Sequence, residues 1–305
     1  MAPMTQATQS RFNRHSTAEE VCDGINLTGK TMVITGVSSG LGFESMRVLA
    51  SRGAHVIGLA RTRDSAAQAC ARVAGPTTPL ACDLSDLSSV ARCADAVAAL
   101  DLPLDVLMCN AGIMALPDLH IKAGLELQFL TNHLGHFLLI NRLLAQLTQA
   151  PAGRCVIVSS MAHHHTVEGG IDFDNLNGAR GYDPWRFYGQ SKLANLLTSN
   201  ELARRLYGGT TTANAVHPGV VVTRLGRHAS GHFAHALAAL SKPLQRSVAA
   251  GAATQCYVAA HRDLRRVSGQ YFADCNPATP SRLASDAALA RALWDRSLEL
   301  TAAYR

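Results

Sequence analysis

Short apolar runs alternate with longer amphipathic stretches from residue 31 onwards. The apolar runs are nearly continuous, as in strands of a parallel sheet that is covered on both faces. They predict strands at 31–36, 54–60, 78–84, 104–112, 154–160 and 212–219, with a weaker seventh at 269–274. Helical periodicity predicts helices at 41–52, 64–74, 86–100, 122–149, 185–207, 245–261 and 286–303. Repeated βα units with right-handed crossovers predict an α/β, doubly wound Rossmann-type fold with a mostly parallel seven-stranded sheet.

No linker, low-complexity tract or internal repeat interrupts this alternation, so we expect a single domain over residues 31–305, preceded by an N-terminal extension over 1–30. The first thirty residues lack the apolar core of a signal peptide. No stretch of the sequence reaches the roughly 18 apolar residues that a membrane span requires. We therefore expect a cytoplasmic protein without a membrane span.

Composition narrows the function classes further. Of the 305 residues, 48% are hydrophobic and 16% are charged, which is typical of a globular protein. The net charge of +6 comes almost wholly from arginine and is not concentrated in any basic run, so we expect no nucleic-acid partner. The eight cysteines form no C-x-x-C pair and several lie in apolar runs. This is typical of buried free thiols in a reducing compartment.

A glycine-rich turn, TGVSSGLG, follows the first predicted strand. Backbone N–H groups and the positive end of the helix dipole at such a turn form a seat for a diphosphate. In this reading Gly36 permits the turn, Gly40 lets phosphates approach, and Gly42 lets the helix lie close to the sheet. An ordinary loop is the alternative. We expect dinucleotide binding by Gly36, Ser38, Ser39, Gly40, Leu41 and Gly42.

The end of the second predicted strand bears on which dinucleotide binds. An NAD site usually has an acidic residue there, which accepts a hydrogen bond from the ribose 2′-OH. This chain has Arg61 and Arg63 in the stretch GLARTRD. A guanidinium can form charge-assisted hydrogen bonds to a 2′-phosphate, which a carboxylate would repel. Arg61 therefore predicts NADP(H), the alternative being that both arginines are merely exposed.

Tyr188 and Lys192 lie four residues apart in YGQSK, on one face of a predicted helix. A free tyrosine, with a pKa near 10, is a poor acid–base catalyst at neutral pH. An adjacent ammonium favours the phenolate and is expected to lower that pKa. Ser159 and Ser160 end the fifth predicted strand, at the sheet edge where α/β folds form their binding crevice.

Six ordered motifs together resemble the short-chain dehydrogenase/reductase family: TGVSSGLG (35–42), CNAG (109–112), NHLGHF (132–137), IVSS (157–160), YGQSK (188–192) and HPG (217–219). Further stretches, among them SKLANLL and NAVHPGVV, are similar to the branch of retinol dehydrogenases and WW-domain oxidoreductases, although we recognise no WW domain. The resemblance covers most of residues 14–300. It implies an oxidoreductase that acts on a small-molecule carbonyl or alcohol.

The resemblance also implies a role for each matched residue. Tyr188 would exchange a proton with the substrate oxygen, Lys192 would hold the nicotinamide ribose, and Ser160 would hydrogen-bond the carbonyl. Asn132 would support its helix and a water that links Lys192 to solvent, whereas Ser159 is expected to take no part. The remaining matched positions would line the cofactor: Asp83 and Leu84 by the adenine, Asn110, Ala111 and Gly112 by the ribose and diphosphate, and Pro218, Gly219, Val221 and Thr223 by the nicotinamide.

Three consecutive histidines, His163, His164 and His165, follow the serine pair. Adjacent side chains on an extended segment point to opposite faces and no cysteine pair lies near, so we expect no metal site. We expect the triplet to border the substrate mouth. Residues 161–187 are predicted to form a substrate-side loop. Residues 224–244 are interpreted either as a mobile lid, whose composition indicates an apolar substrate, or as an ordinary packed helix.

The hypothesis that combines these features is an NADP(H)-dependent oxidoreductase that interconverts an alcohol and a carbonyl on a lipophilic or cyclic small molecule. The alternative is a nucleotide-sensing regulatory or scaffold protein with little turnover. An intact set of Ser160, Tyr188 and Lys192 argues against the alternative, because a pure binder needs no acid–base phenol. A homo-oligomer is compatible with the sequence.

Overall fold

The computed structural model describes residues 6–221 and 245–305. Its main sheet has eight strands: β1 (Thr31–Thr35), β2 (His55–Ala60), β3 (Thr77–Ala81), β4 (Val106–Cys109), β5 (Arg154–Val158), β6 (Thr212–His217), β7 (Tyr271–Ala273) and β8 (Asn276–Pro277). Their order is β8-β7-β6-β5-β4-β1-β2-β3, and only β8 runs antiparallel to its neighbour. The predicted doubly wound, mostly parallel sheet is confirmed. The eighth strand was not predicted, because two residues leave no periodic pattern.

Helices lie between the strands as the sequence predicts. In the described residues the α-helices are α1 (Ala18–Val21), α2 (Gly40–Ser51), α3 (Arg63–Cys70), α4 (Leu87–Ala98), α5 (Gly135–Gln149), α6 (Pro184–Arg205), α7 (Val248–Ala260) and α8 (Ala287–Leu300). Most of them begin at a side-chain cap. In α6, for example, the Asp183 carboxylate accepts hydrogen bonds from the N–H groups of Trp185 and Arg186, and Pro184 occupies the first helical position.

The region predicted as one helix over 122–149 is divided, so that prediction is wrong for residues 122–126. A short hairpin pairs Ile121–Lys122 with Leu125–Glu126, turning at Gly124 with a φ of 75°. The buried Glu126 carboxylate then accepts hydrogen bonds from the next free N–H groups and so starts the helix later. A π-helix, Phe129–Leu134, precedes α5. Such wide turns often occur at functional sites.

Hydrophobic layers cover both faces of the sheet. Alternate residues of each central strand point to opposite sides, so that Val33 belongs to one core and Ile34 to the other. Helices α4, α5 and α6 cover the first face, and α2 and α7 cover the second. Because both faces of the strands are buried, polar side chains that act on a ligand can emerge only at the strand ends.

The chain outside the βα units packs against them. Phe12 lies edge-on to Tyr257 of α7, with ring centroids 5.6 Å apart, and α8 packs along α6. All eight cysteines are buried and form no disulfide. Within residues 6–221 and 245–305, none of the helices has both the length and the apolarity for a bilayer crossing. The predicted lid, 224–244, and Thr223 lie outside the described residues.

Candidate active site

The predicted site residues converge at one edge of the sheet. Strands β1, β4, β5 and β6 are consecutive neighbours and parallel, so their carboxyl ends meet. Gly36 follows β1, Asn110 follows β4, Ser160 lies two residues after β5, and Pro218 follows β6. In an open α/β sheet this edge forms the ligand crevice, at the point where the strand order reverses between β1 and β4.

The glycine-rich turn has the geometry of a diphosphate seat. Gly36 has a φ of +76°, and a Cβ built on Gly42 would lie 2.4 Å from the Gly36 carbonyl oxygen. Only glycine therefore fits this contact between α2 and the turn. Among the described residues no side chain caps the start of α2 at Ser39. The first N–H groups of α2 are thus available to an anionic group, which fits a dinucleotide.

The loop after β4 is held by a residue that the sequence analysis missed. The Thr35 hydroxyl accepts hydrogen bonds from the N–H groups of Asn110 and Ala111, both at 2.9 Å. The Asn110 amide donates to the Thr35 carbonyl at 2.8 Å and accepts from Gln255 at 3.1 Å. Thr35 ends β1 beside the glycine turn, and this adjacency was the only sequence signal. Gln255 left no signal, because it lies in the distant helix α7.

The residues expected around the adenosine half of the cofactor lie at the ends of β2 and β3. Arg61 is exposed directly after β2. The Asp83 carboxylate accepts hydrogen bonds from the N–H and hydroxyl of Ser85 and lies 3.9 Å from the Lys122 ammonium. Leu84 is buried. The end of β2 therefore presents a cation where an NAD site usually presents an acid.

Tyr188 and Lys192 lie on α6 and are buried, with 5% and 3% of their surfaces exposed. The Ser160 hydroxyl faces the Tyr188 phenol. The Lys192 ammonium lies 5.7 Å from the centre of the Tyr188 ring and donates a hydrogen bond to the Val158 carbonyl at 3.2 Å. The three side chains expected to carry the chemistry are therefore neighbours.

Burial dominates the protonation of this group. It raises the pKa of Tyr188 to about 12, and the Ser160 hydroxyl acts in the opposite direction. Burial also lowers the pKa of Lys192 to about 8. The expected lowering of the Tyr188 pKa by Lys192 is therefore not found in this structure, because desolvation of the phenolate outweighs the hydrogen bond to Ser160. Tyr188 is protonated at neutral pH.

The Ser160 hydroxyl is set up to donate. Ser160 begins a 3-10 turn, Met161–His164, and its oxygen accepts the Ala162 N–H at 3.2 Å. A hydroxyl that accepts through a lone pair still has its proton free for another partner. Ser159, which is expected to take no part in the chemistry, has a structural contact. Its buried hydroxyl donates to the Lys192 carbonyl at 2.7 Å and so ties the end of β5 to α6.

Asn132 lies in the π-helix and fastens the loop after β4. Its side-chain oxygen accepts the Ile113 N–H at 2.8 Å, and its amide donates to the Ile113 carbonyl and to Ser191, both at 2.9 Å. A Cβ on Gly112 would lie 3.1 Å from the Asn132 oxygen and 3.4 Å from the Lys192 ammonium. The loop expected to line the ribose therefore lies against both Asn132 and Lys192.

The Pro218–Val221 loop is held by an ion pair that the sequence analysis missed. Gly219 has a φ of +84°, and a Cβ there would lie 2.6 Å from the Arg246 guanidinium nitrogen Nε. Arg246 forms an ion pair with Asp274, just after β7. The short strand Val220–Val221 also pairs with Gln245–Arg246. The loop expected at the nicotinamide is thus fixed from the far end of the chain.

The histidine triplet is divided by the fold. His164 and His165 are exposed, but His163 is fully buried. The expectation that all three border a substrate mouth is therefore wrong for His163. The 3-10 turn after Ser160 is the reason, because it rotates successive side chains instead of alternating them as a strand would. In the described parts of the chain, no group of three or more His, Cys, Asp or Glu side chains is arranged to hold a metal ion.

A Rossmann-type sheet with a dinucleotide turn and a buried phenol at one edge defines the class of nucleotide-dependent oxidoreductases. Comparison with known proteins specifies the family. Residues 30–173 match the family model described as short chain dehydrogenase. The chain is 44% identical to "Short-chain dehydrogenase TIC 32 A, chloroplastic" of Brassica napus, over 97% of this chain and 96% of that protein. It therefore belongs to the short-chain dehydrogenase/reductase family, whose members bind a nicotinamide cofactor.

The predicted branch is confirmed as well. The human WW domain-containing oxidoreductase is 38% identical, over 98% of this chain and 74% of that protein. Human retinol dehydrogenase 14 is 38% identical, over 88% of this chain and 85% of that protein. Among solved structures, the Pseudomonas aeruginosa RhlG/NADP active-site complex superimposes with a TM-score of 0.64 at 27% identity, covering 81% of this chain and 95% of that chain.

Proposed function

We propose that this protein is an NADP(H)-dependent oxidoreductase that interconverts an alcohol and a carbonyl on a lipophilic or cyclic small molecule, with Tyr188 as the general acid/base. The observation that carries the proposal is the group of Ser160 with the buried Tyr188 and Lys192, at the edge that also bears the glycine-rich turn. A protein that only bound a nucleotide would not need a phenol and a lysine there.

Ser160, Tyr188 and Lys192 have separate roles in carbonyl reduction. When bound, NADPH supplies the hydride that the carbonyl carbon accepts. The Ser160 hydroxyl donates a hydrogen bond to the carbonyl oxygen, since its lone pair already accepts the Ala162 N–H. Tyr188, which is protonated at neutral pH, transfers its proton to that oxygen as the negative charge develops. Lys192 then stabilises the resulting phenolate, and oxidation of the alcohol reverses these steps.

Arg61 supports the preference for NADP(H). It is exposed directly after β2, so its guanidinium can reach a 2′-phosphate without losing a protein partner. A relative of the same fold has been solved as an NADP complex.

Apolar side chains next to two of the reacting residues support a lipophilic substrate. Met161, directly after Ser160, is 61% exposed. Trp185 is half-buried and lies edge-on to Tyr188, with ring centroids 6.3 Å apart.

The eight buried free thiols favour a reducing compartment, which supports the cytoplasm as the location.

The test measures turnover of a panel of aldehydes, ketones and alcohols by the change in NADPH absorbance. It compares the wild-type protein with Tyr188→Phe and with the control Tyr207→Phe. Tyr207 is 68% exposed on the surface. We expect kcat of Tyr188→Phe to fall by about 10²–10⁴, as for loss of a general acid, with NADPH affinity little changed. Turnover by Tyr188→Phe equal to that of Tyr207→Phe would show that another group moves the proton.

A further inference from the structure

His163 connects the catalytic turn to the C-terminal part of the chain. Its Nδ1 bonds to the Ser160 carbonyl, and its Nε2 accepts the N–H of Ser281 at 3.0 Å. The ring lies edge-on to Tyr271 of β7, with centroids 5.2 Å apart. His163 is fully buried, and its ring also lies against that of His164, with centroids 4.2 Å apart.

The two hydrogen bonds define one tautomer. A carbonyl can only accept, so Nδ1 carries the proton, and a backbone N–H can only donate, so Nε2 carries none. Burial lowers the pKa of His163 to about 4, which keeps the ring neutral at physiological pH. His163 is therefore an uncharged bridge with one donor and one acceptor, and each is used.

We propose that His163 is a positioning residue for Ser160: its Nδ1–H holds the Ser160 carbonyl and thereby orients the Ser160 hydroxyl towards the substrate oxygen, while the Ser281 N–H helps to hold the ring. The inference rests on the proposed function, in which Ser160 hydrogen-bonds the carbonyl. The other backbone contacts of Ser160 lie within the turn itself, since its hydroxyl accepts the Ala162 N–H and its carbonyl also accepts the His163 N–H at 3.1 Å. The His163 ring is the contact that connects this turn to Ser281. The Ser281 end is firm, because the Ser281 hydroxyl caps the 3-10 turn Arg282–Ser285.

Two isosteric substitutions separate the two bonds. In His163→Asn the amide nitrogen takes the place of Nδ1 and keeps the bond to Ser160, whereas in His163→Gln the amide reaches only the Nε2 position near Ser281. We expect kcat of His163→Gln to fall at least about tenfold, as for a small displacement of a reacting group, and kcat of His163→Asn to fall less than about threefold. KM for NADPH should stay unchanged in both. Equal losses in the two variants, or an unchanged kcat in His163→Gln, would overturn the proposal.

A double-mutant cycle shows whether His163 acts through Ser160. In a Ser160→Ala background, His163→Gln should have almost no further effect on kcat, because the hydroxyl that it positions is gone. A further tenfold loss there would overturn the proposal. If the His163 variants do not fold, Ser281→Pro against Ser281→Ala tests the other end of the ring. Both remove the capping hydroxyl, but only Pro removes the N–H, and the Ser281 φ of −62° suits Pro. Because Ser281→Pro loses the same bond as His163→Asn and leaves the Nδ1 bond in place, its kcat should lie within about threefold of that of Ser281→Ala. A tenfold lower kcat in Ser281→Pro would overturn the proposal.

Hydrogen exchange provides a measurement without a substrate. Exchange of the peptide 159–166 should be faster in His163→Gln than in wild type, but not in His163→Asn, because only Asn keeps the Ser160 carbonyl in place. Equal exchange in the two variants would overturn the proposal. If wild-type protein reduces no carbonyl at all, the proposed function fails, and this measurement still decides whether His163 positions Ser160.

Discussion

Acidification should destabilise this protein before most of its carboxylates titrate. Three histidines are buried: burial lowers the pKa of His133 to about 3 and those of His136 and His217 to about 4, and at His217 it outweighs the opposing effect of the Asp274 carboxylate. Their unfolded pKa is near 6.5. Between these values the unfolded chain binds more protons than the folded one, so unfolding takes up protons and the free energy of unfolding falls as the pH falls. The stability is fully present above pH 6.5.

The size of the effect follows from linkage. At pH 5.5 an unfolded histidine is about nine-tenths protonated while the buried ring remains neutral, which costs about 1.4 kcal/mol per histidine relative to pH 8. Three such residues together cost about 4 kcal/mol, a large part of the roughly 5–15 kcal/mol that stabilises a typical protein. The buried His163 acts in the same direction.

Urea denaturation at pH 5.5, 6.5, 7.0 and 8.0, followed by far-UV circular dichroism, measures this effect. His133→Asn should reduce the proton uptake on unfolding by about one at pH 5.5, because it removes one of the buried rings that must take up a proton. His133→Asn will also lower the stability at pH 8, since it breaks a hydrogen bond of 2.8 Å to Ser297, so the slope with pH is the quantity to compare. A free energy of unfolding that stays constant from pH 8 to 5.5 would refute the reasoning.

Three further outcomes are expected. Arg61→Asp should weaken NADPH binding at least about tenfold, by loss of a charge-assisted hydrogen bond, and should favour NADH. Fluorescence titration measures both affinities, with Arg296→Asp as the control. Equal affinities of the wild type for both cofactors would remove the basis of the assignment. Gly42→Ala should abolish detectable NADPH binding in the same titration, because its Cβ would lie 2.4 Å from the Gly36 carbonyl oxygen; normal binding would contradict this. Arg154→Met should lower the free energy of unfolding by about 1–3 kcal/mol, since it leaves the Val258 and His261 carbonyls without their donor. Urea denaturation measures this, and equal midpoints for the wild type and Arg154→Met would contradict it.

Much of the fold could be predicted from local patterns in the sequence. The alternation of apolar runs and amphipathic stretches placed the strands β1 to β7, because each strand of a parallel sheet is buried on both faces wherever the chain later puts it. The glycine-rich turn and the shared helix face of Tyr188 and Lys192 could also be predicted, since a sharp turn and a helix face depend only on residues close in the sequence. The hairpin before the π-helix was missed, because Glu126 looks like any helical glutamate until its carboxylate caps the following turn.

Contacts between distant segments were decided by the tertiary structure alone. His163 and Ser281 are 118 residues apart, and Thr35 and Asn110 are 75 apart, so no local pattern could pair them. The raised pKa of Tyr188 could likewise not be predicted from the sequence. The spacing of Tyr188 and Lys192 along the helix does not indicate how deeply the phenol is buried. Desolvation depends on everything that packs around a group, and that environment exists only once the sheet, α6 and the C-terminal segments have come together.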